Sequence, residues 1–267
     1  MPDFLRATID VLLGIGLLFG GGELFVQGSV ALALVFGIPQ LVIGLTVVSL
    51  GTSAPELFVS LSSVFKGSDA LAVSNAVGSN IFNVMVVLGA SALVLPLRVE
   101  SRLVRRDIPL LIAISAAVWG MASAGRMTWQ AGVALLVGLV INTIWEIRTA
   151  REQPDVSVDA EPEVDANAGQ GGWGLAVLKL IAGIAVLTIG SRVLVSGAIT
   201  AATLLGVSEA VIGLTIVSAG TSTPELITSM VAALRGRTDL AIGNVVGSCL
   251  LNLTLVLGGG ALAAGSR

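Results

Sequence analysis

Two carboxylates, Glu56 and Glu225, sit inside long apolar stretches of a 267-residue chain that is 55% hydrophobic and 12% charged. Each follows a proline, Pro55 or Pro224. Each also lies among hydroxyls: Ser49, Thr52, Ser53 and Ser60 around the first, Ser218, Thr221, Ser222 and Ser229 around the second. At helical spacing these side chains share one face. Proline cannot donate to the carbonyl four residues back, so the carbonyls of Gly51 and Gly220 are released and the turn is strained. Freed carbonyls in such a break, including those of Thr52 and Thr221, become oxygen ligands beside the carboxylate. On the following helix Asn75, Ser79 and Asn83 recur every four residues, as do Asn244, Ser248 and Asn252. An ionisable group at bilayer depth costs at least about 2.5–3.5 kcal/mol on insertion scales, so its default reading is functional. Carboxylates, hydroxyls, amides and carbonyls form an all-oxygen donor set suited to hard cations: Ca²⁺, Na⁺ and K⁺. Two carboxylates neutralise one divalent ion. For any single serine, backbone bonding and small-residue packing is the competing reading. For the four asparagines it is an interhelical clamp, above all for Asn75 and Asn244, one turn further out.

The elements that must position these groups are membrane helices. So few charged residues could not clothe a soluble domain, which averages about a quarter charged. That excludes a soluble enzyme, a disordered chain and a nucleic-acid binder and leaves a polytopic membrane protein. The absence of histidine removes imidazole metal sites, Ser-His and Cys-His nucleophiles and imidazole proton relays. A single cysteine excludes an intramolecular disulfide, and no cofactor is expected. Eight apolar stretches are read as spanning helices, at about 8–34, 39–64, 70–96, 108–124, 129–147, 174–204, 208–234 and 240–263. The first is too long for a signal peptide, shows no clear cleavage site and opens with Asp3, Arg6 and Asp10.

The connections 3–4, 5–6 and 7–8 hold Arg98, Arg102, Arg105, Arg106, Arg148, Arg151, Lys179, Arg235 and Arg237. The other side holds Arg6, Lys66, Arg126 and Arg267. Nine against four places the first side in the cytoplasm and the N-terminus outside. The segment 150–172, rich in Asp, Glu, Gly and Pro, reads as a solvated linker, with a weak regulatory cation site as the alternative.

Sliding the chain by 169 residues aligns GLTVVSLGTSAPELFVS (44–60) with GLTIVSAGTSTPELITS (213–229), and SNAVGSNIFNVMVVLG (74–89) with GNVVGSCLLNLTLVLG (243–258). Gly14, Gly28 and Gly37 fall on Gly183, Gly197 and Gly206 without a gap. Equivalent helices are five spans apart, an odd number, so the second copy enters from the opposite side. The chain therefore divides into a first repeat of five helices (1–149), an acidic cytoplasmic linker (150–172) and a second repeat of three helices (173–267). This is an all-α, inverted-topology architecture, typical of secondary transporters with a midplane site between repeats.

The segments GTSAPE with SNAVGSNIFN, and GTSTPE with GNVVGSCLLN, resemble the two alpha repeats of the calcium/cation antiporter superfamily, the sodium/calcium exchangers. The resemblance spans essentially the whole chain and is with the microbial type. It implies alternating access, with Na⁺ and Ca²⁺ competing for one site. By motif position it makes Glu56 and Glu225 shared carboxylate ligands and assigns backbone oxygens of Thr52 and Thr221 to Ca²⁺. Ser53, Ser79, Ser222 and Ser248 would help coordinate Na⁺, as would backbone at Ser49 and Ser218. Asn83 and Asn252 complete the candidate set. Three departures stand out. The family usually has ten helices, two more than the eight read here. Asn252 occupies a position where many sodium/calcium exchangers carry Asp. Cys249 replaces the asparagine matched by Asn80; as a small weak donor it either packs or forms a thiol-sensitive gate.

The leading expectation is an antiporter, not an enzyme, exchanging Ca²⁺ for Na⁺ across a prokaryotic inner membrane. A H⁺/Ca²⁺ or K⁺-dependent exchanger is the nearest alternative, because carboxylates carry protons as readily as Na⁺. A non-transporting scaffold or sensor is a further one. A two-acid intramembrane protease leaves the hydroxyl stripes and the inverted repeat unexplained. Glu23 and Arg192 occupy equivalent places in the two first helices. They read either as a buried pair or as residues near a water-filled passage.

Overall fold

A computed structural model describes residues 2–97, 99–125, 127–152, 172–207 and 218–265. Every long element among them is a helix. In chain order these are α1 (Pro2–Phe36), α2 (Gln40–Thr52), α3 (Ala54–Phe65), α4 (Asp69–Val94), α5 (Ile108–Ser123) and α6 (Trp129–Glu152). Then follow α7 (Gly172–Leu204), α8 (Ser218–Thr221), α9 (Thr223–Leu234) and α10 (Thr238–Gly265). Five helices, α1, α4, α6, α7 and α10, are long and apolar enough to cross a membrane. The pair α2–α3, bent by 46° where Pro55 interrupts the ladder, makes a sixth. The count of eight is not reproduced among the described residues. Helix α5 continues directly from a π-helical turn, Leu103–Asp107, and positions 208–217 of the seventh expected span lie outside the described residues, as does most of the 150–172 linker.

Small residues decide how these helices approach. In lipid there is no hydrophobic drive between apolar helices, so close backbone contact and dispersion must hold them. Along α1 and α7 a glycine recurs every seventh residue: Gly14, Gly21 and Gly28 on one, Gly183, Gly190 and Gly197 on the other. A Cβ at Gly14 would lie 2.6 Å from the Leu194 backbone nitrogen, and one at Gly28 would lie 2.8 Å from that of Leu180. From the opposite wall, a Cβ at Gly183 would lie 2.7 Å from the Phe25 backbone. Rising numbers on α1 meet falling numbers on α7, so the two first helices run antiparallel, as an inverted repeat requires. Between the glycines, Leu18, Phe25, Leu180 and Leu187 are buried.

Helices α2–α4 and α9–α10 form the centre, packed against one another and against the α1–α7 pair. Gly44 and Gly243 touch where α2 meets α10: a Cβ on either would lie 3.0 Å from the other's Cα. Helices α5 and α6 cover α10, with Gly132 of α6 against the Gly258 carbonyl. As a result α10 is almost wholly buried. Its counterpart α4 exposes Val77, Ile81, Val84 and Met85.

Any side chain at Gly183 must displace backbone. Gly183→Ala should lower stability by about 1–3 kcal/mol, the usual range for overpacking. Gly20→Ala, where nothing lies within 4 Å, should be neutral. Thermal unfolding in detergent measures the difference, and equal melting temperatures for the two variants would contradict the backbone contact.

Candidate functional site

The two broken helices place the carboxylates. Pro55 and Pro224 sit in the first turn of α3 and α9, and the preceding Ser53 and Ser222 leave helical geometry with ψ of 6° and 8°. The break sets Glu56 and Glu225 in the opening turns of the two short helices, both fully buried. The Gly220 carbonyl released by Pro224 is taken by the Ser191 hydroxyl of α7 at 2.6 Å. This partner was not legible beforehand, because position 22 in the first repeat is glycine.

Each carboxylate is held by the opposite repeat. Ser222 donates to Glu56 Oε1 at 2.9 Å, and Ser53 donates to Glu225 Oε1 at 3.0 Å. A second symmetric pair fixes the turn itself. Asn75 donates to the Glu56 carbonyl at 3.2 Å and to Ser60 Oγ at 2.9 Å. Asn244 donates to the Glu225 carbonyl at 3.4 Å and to Ser229 Oγ at 2.9 Å. Asn75 and Asn244 are therefore clamps that hold the helix following each break.

Asn83 and Asn252 differ from them. Each opens a π-helical turn, Asn83–Val87 and Asn252–Val256, which widens the helix locally. Such turns recur at functional sites. Hydrophobic periodicity cannot reveal a single added residue per turn, so they went unread. Both Asn83 amide atoms, Asn252 Oδ1, Glu56 Oε2 and Glu225 Oε2 are buried with no hydrogen-bond partner among the described residues. Buried polar atoms are nearly always paired, so four oxygens and an amide nitrogen left without partners on these facing elements mark them as a candidate site. No cluster of three acidic, His or Cys side chains occurs among the described residues, in keeping with Asn rather than Asp at 252.

The remaining candidates distribute as follows. Thr52 donates to Asn244 Oδ1 at 3.1 Å and lies 3.5 Å from Ser248 Oγ. Ser49 is buried but donates to the Leu45 carbonyl at 2.9 Å, a backbone bond within its own helix. Ser79 and Ser248 are buried. Thr221 borders a cavity described below, and the Ser218 side chain lies outside the described residues. Cys249 packs across from its own counterpart: Asn80 Nδ2 donates to the Cys249 carbonyl at 3.1 Å, and Asn252 Nδ2 donates to Asn80 Oδ1 at 3.0 Å. Glu23 does not pair with Arg192. Its partner is Arg235 at the end of α9, at 2.7 Å. The reason is position, since α1 and α7 run antiparallel and carry residues 23 and 192 at different heights. Composition gave no hint of a second polar group, in which Arg102 and Arg106 both bind Glu146, with Asp107 buried beside them.

The two sides of the site are unequal. A cavity of about 670 Å³ runs between α3 and α7 to Gly220 and Thr221, lined also by Pro55, Phe58 and Arg192. The pseudo-equivalent wall is packed shut. Phe58 is 68% exposed whereas its counterpart Ile227 is 8% exposed, and a Cβ at Gly22 would already lie 3.0 Å from Ile227 Cγ2. The cavity reaches the second helix break at Gly220 and Thr221, and the equivalent place in the first repeat is filled by Ile227.

Inverted helical repeats that cross-bond two buried carboxylates at their helix breaks are the architecture of a membrane antiporter. Residues 7–148 and 175–267 match the family model described as sodium/calcium exchanger protein. The chain is 38% identical to the putative antiporter CaxA of Alkalimonas amylolytica, over 97% of this chain and 82% of the relative. It is 30% identical to the sodium/calcium exchanger MaX1 of Methanosarcina acetivorans, over 93% and 80% respectively. The solved structure of the sodium-calcium exchanger NCX_Mj superposes with TM-score 0.81 at 31% identity, covering 97% of this chain and 82% of that one. The chain belongs to the sodium/calcium exchanger family.

The two classes of asparagine separate experimentally. Asn244→Ala removes both clamp bonds and should lower stability by about 1–3 kcal/mol. Asn83→Ala removes atoms with no close hydrogen bond among the described residues and should leave unfolding in Ca²⁺-free buffer nearly unchanged while weakening Ca²⁺-induced stabilisation. Melting curves with and without Ca²⁺ test both, and a large loss of stability for Asn83→Ala without Ca²⁺ would reverse the assignment.

Proposed function

We propose that this chain is a secondary active antiporter that exchanges Ca²⁺ for Na⁺ by alternating access, with both ions competing for the oxygens between the repeats. The observation that carries the reading is the pair of buried glutamates. Each is bonded through one oxygen to the opposite repeat, and its second oxygen has no hydrogen-bond partner among the described residues. Glu56 and Glu225 act as the shared carboxylate ligands. Thr52 and Thr221 supply backbone oxygens. Ser53, Ser79, Ser222 and Ser248, with Asn83, Asn252 and the backbone at Ser49 and Ser218, complete the shell. A cation replaces the two serine hydrogen bonds when it binds, and those serines turn towards it. The names CaxA antiporter and sodium/calcium exchanger among its relatives support the same reading.

The cavity beside Thr221 is the route by which ions enter in this conformation. The sealed wall at Gly22 and Ile227 is the route that opens in the other. By the excess of Arg and Lys on the 3–4, 5–6 and 7–8 connections, the sealed side faces the cytoplasm and the open side faces outward. The membrane is the prokaryotic inner membrane, and the repeats divide as 1–149 and 173–267 around the acidic linker.

Charge counting bounds the exchange. With Asn at both 83 and 252, the site carries −2 when both glutamates are ionised. One Ca²⁺ or two Na⁺ cancel that charge. A third Na⁺ leaves +1 and must rest on neutral hydroxyls and carbonyls, with lower affinity. Mg²⁺ is a poor substrate because it demands tight octahedral geometry and gives up water reluctantly. Protons compete with metal for the same carboxylate oxygens, which keeps a H⁺/Ca²⁺ exchanger as the second reading.

Radiolabelled Ca²⁺ uptake into proteoliposomes, driven separately by a Na⁺ and by a pH gradient, decides between the two. The expected result is uptake with Na⁺ and none with pH alone. Glu56→Gln and Glu225→Gln should each abolish exchange in a folded protein, since Gln keeps the volume and cannot neutralise Ca²⁺. Near-normal uptake in either variant would refute the carboxylate assignment. Isothermal titration should show Ca²⁺ binding weakened by acid and by Na⁺. Asn252→Asp should change the Na⁺ dependence more than the Ca²⁺ preference over Mg²⁺. Calcium affinity that is flat with pH and indifferent to Na⁺ would sink the shared-site model.

A further inference from the structure

The cavity that reaches Thr221 has two unlike walls. On α7, Thr188, Arg192, Ser196 and Thr200 line it and recur every fourth residue, so one face of that helix is polar along the cavity. The facing wall on α3 is Pro55, Phe58 and Val59. The positions on α1 equivalent to the stripe are Phe19, Glu23, Gln27 and Ala31, so the full stripe belongs to α7 alone.

Arg192 is the only charged side chain among the described residues that line the cavity. It is exposed and forms no ion pair with a described residue. Asp10 of α1 lies against Gly197, about 7 Å further along α7, and neither Asp10 nor Lys66 is a lining residue. Position 188 is the midpoint of α7, so Arg192 lies about 6 Å from the middle of a spanning helix. That is well inside a hydrocarbon half-thickness of about 15 Å. At such depth a guanidinium without a carboxylate partner faces water. The cavity is therefore wet, and a positive charge stands on the wetted path that ends at the second helix break.

A cation on this path meets repulsion before it meets Glu56 and Glu225. Low-dielectric walls focus that field along the cleft. The free energy of an ion in a fixed potential scales with its charge. A divalent ion is therefore disfavoured by the square of the factor that disfavours a monovalent one. We propose that Arg192 is a specificity-determining residue, a fixed charge that sorts ions by valence and weakens Ca²⁺ binding more than Na⁺ binding. The proposal rests on the antiporter reading, in which this cavity is the ion route. The hydroxyls of the same stripe are neutral and serve either ion, so this wall discriminates by charge.

The test is equilibrium binding of radiolabelled Ca²⁺ and Na⁺, each titrated alone, to purified unmodified protein, Arg192→Gln and Arg192→Lys. A potential of about one kT per unit charge is within the range of protein clefts. Its removal in Arg192→Gln should lower the half-saturating Na⁺ concentration about threefold and that of Ca²⁺ by the square of this, about ninefold. Arg192→Lys keeps the charge and should keep both values. Added choline chloride should narrow the gap between Arg192→Gln and the unmodified protein, because salt screens the charge. Equal factors for the two ions, no change in either, or Arg192→Lys behaving as Arg192→Gln overturns the proposal. The antiporter reading fails differently. Unmodified protein that binds no Ca²⁺ refutes the carboxylate site and the proposal with it. Protein that binds Ca²⁺ but exchanges none for Na⁺ refutes antiport alone, and the Arg192 comparison still decides. Should Arg192→Gln not fold, Arg192→Met, long and uncharged, gives the same comparison.

Discussion

Two carboxylates enclosed at the crossing of two inverted repeats govern the construction of this protein. Removing an ionised carboxylate from water is expensive, and its attraction to other groups offsets this only where geometry is close and the lone pairs are met. Neither repeat could meet that demand alone. Glu56 is met by Ser222 and Glu225 by Ser53, so each half supplies the donor that the other requires. The fold is thus committed to bringing two helix breaks face to face, and the second oxygen of each carboxylate is left without a hydrogen-bond partner among the described residues.

That commitment explains the unusual backbone proximity elsewhere. The breaks meet only if the helices behind them approach more closely than side chains permit. Glycine lines α1 against α7 and α2 against α10, and the Gly44–Gly243 contact lies within two turns of Thr52. The clamps at Asn75 and Asn244 then stop each post-proline helix from sliding along its neighbour. Packing and chemistry are not separate layers here, because the packing seam sets the distance between the two carboxylates.

Much of this was legible in the sequence. The 169-residue register, the Pro-Glu pairs and the polar stripes point to the repeat, its inversion and the two carboxylates that the serines of the opposite repeat meet. Asn75 and Asn244 were rightly suspected as clamps. Other features depend on the third dimension. The π-helical turns at Asn83 and Asn252 leave no trace in periodicity. Ser191 reaches a carbonyl on another helix, which spacing within its own helix could not suggest. Glu23 was weighed against Arg192 because their positions correspond, yet correspondence under an inverted repeat places two residues on opposite sides of the site. Its true partner, Arg235, lies far along the chain. The number of complete spans is also not fixed by local hydropathy, because a charged π-helical turn, Leu103–Asp107, opens the helix that continues as α5, and 208–217 lie outside the described residues.

The Glu23–Arg235 pair has a mirror position across the pseudo-twofold axis, and what stands there is Arg192 with Lys66. On the sealed side two opposite charges tie the end of α9 to α1. On the open side, the same two places hold two positive charges, which resist being drawn together. An exposed ion pair is worth only about 0.2–1 kcal/mol, and the Arg235 side chain is 61% exposed. Even so, a latch on one face and a repulsion on the other act in the same direction. A repeat with perfect internal symmetry would have two isoenergetic end states and no resting preference. These four side chains add to the asymmetry already set by α5 and α6, which cover α10 and leave α4 exposed, so the two faces of the molecule are not equivalent.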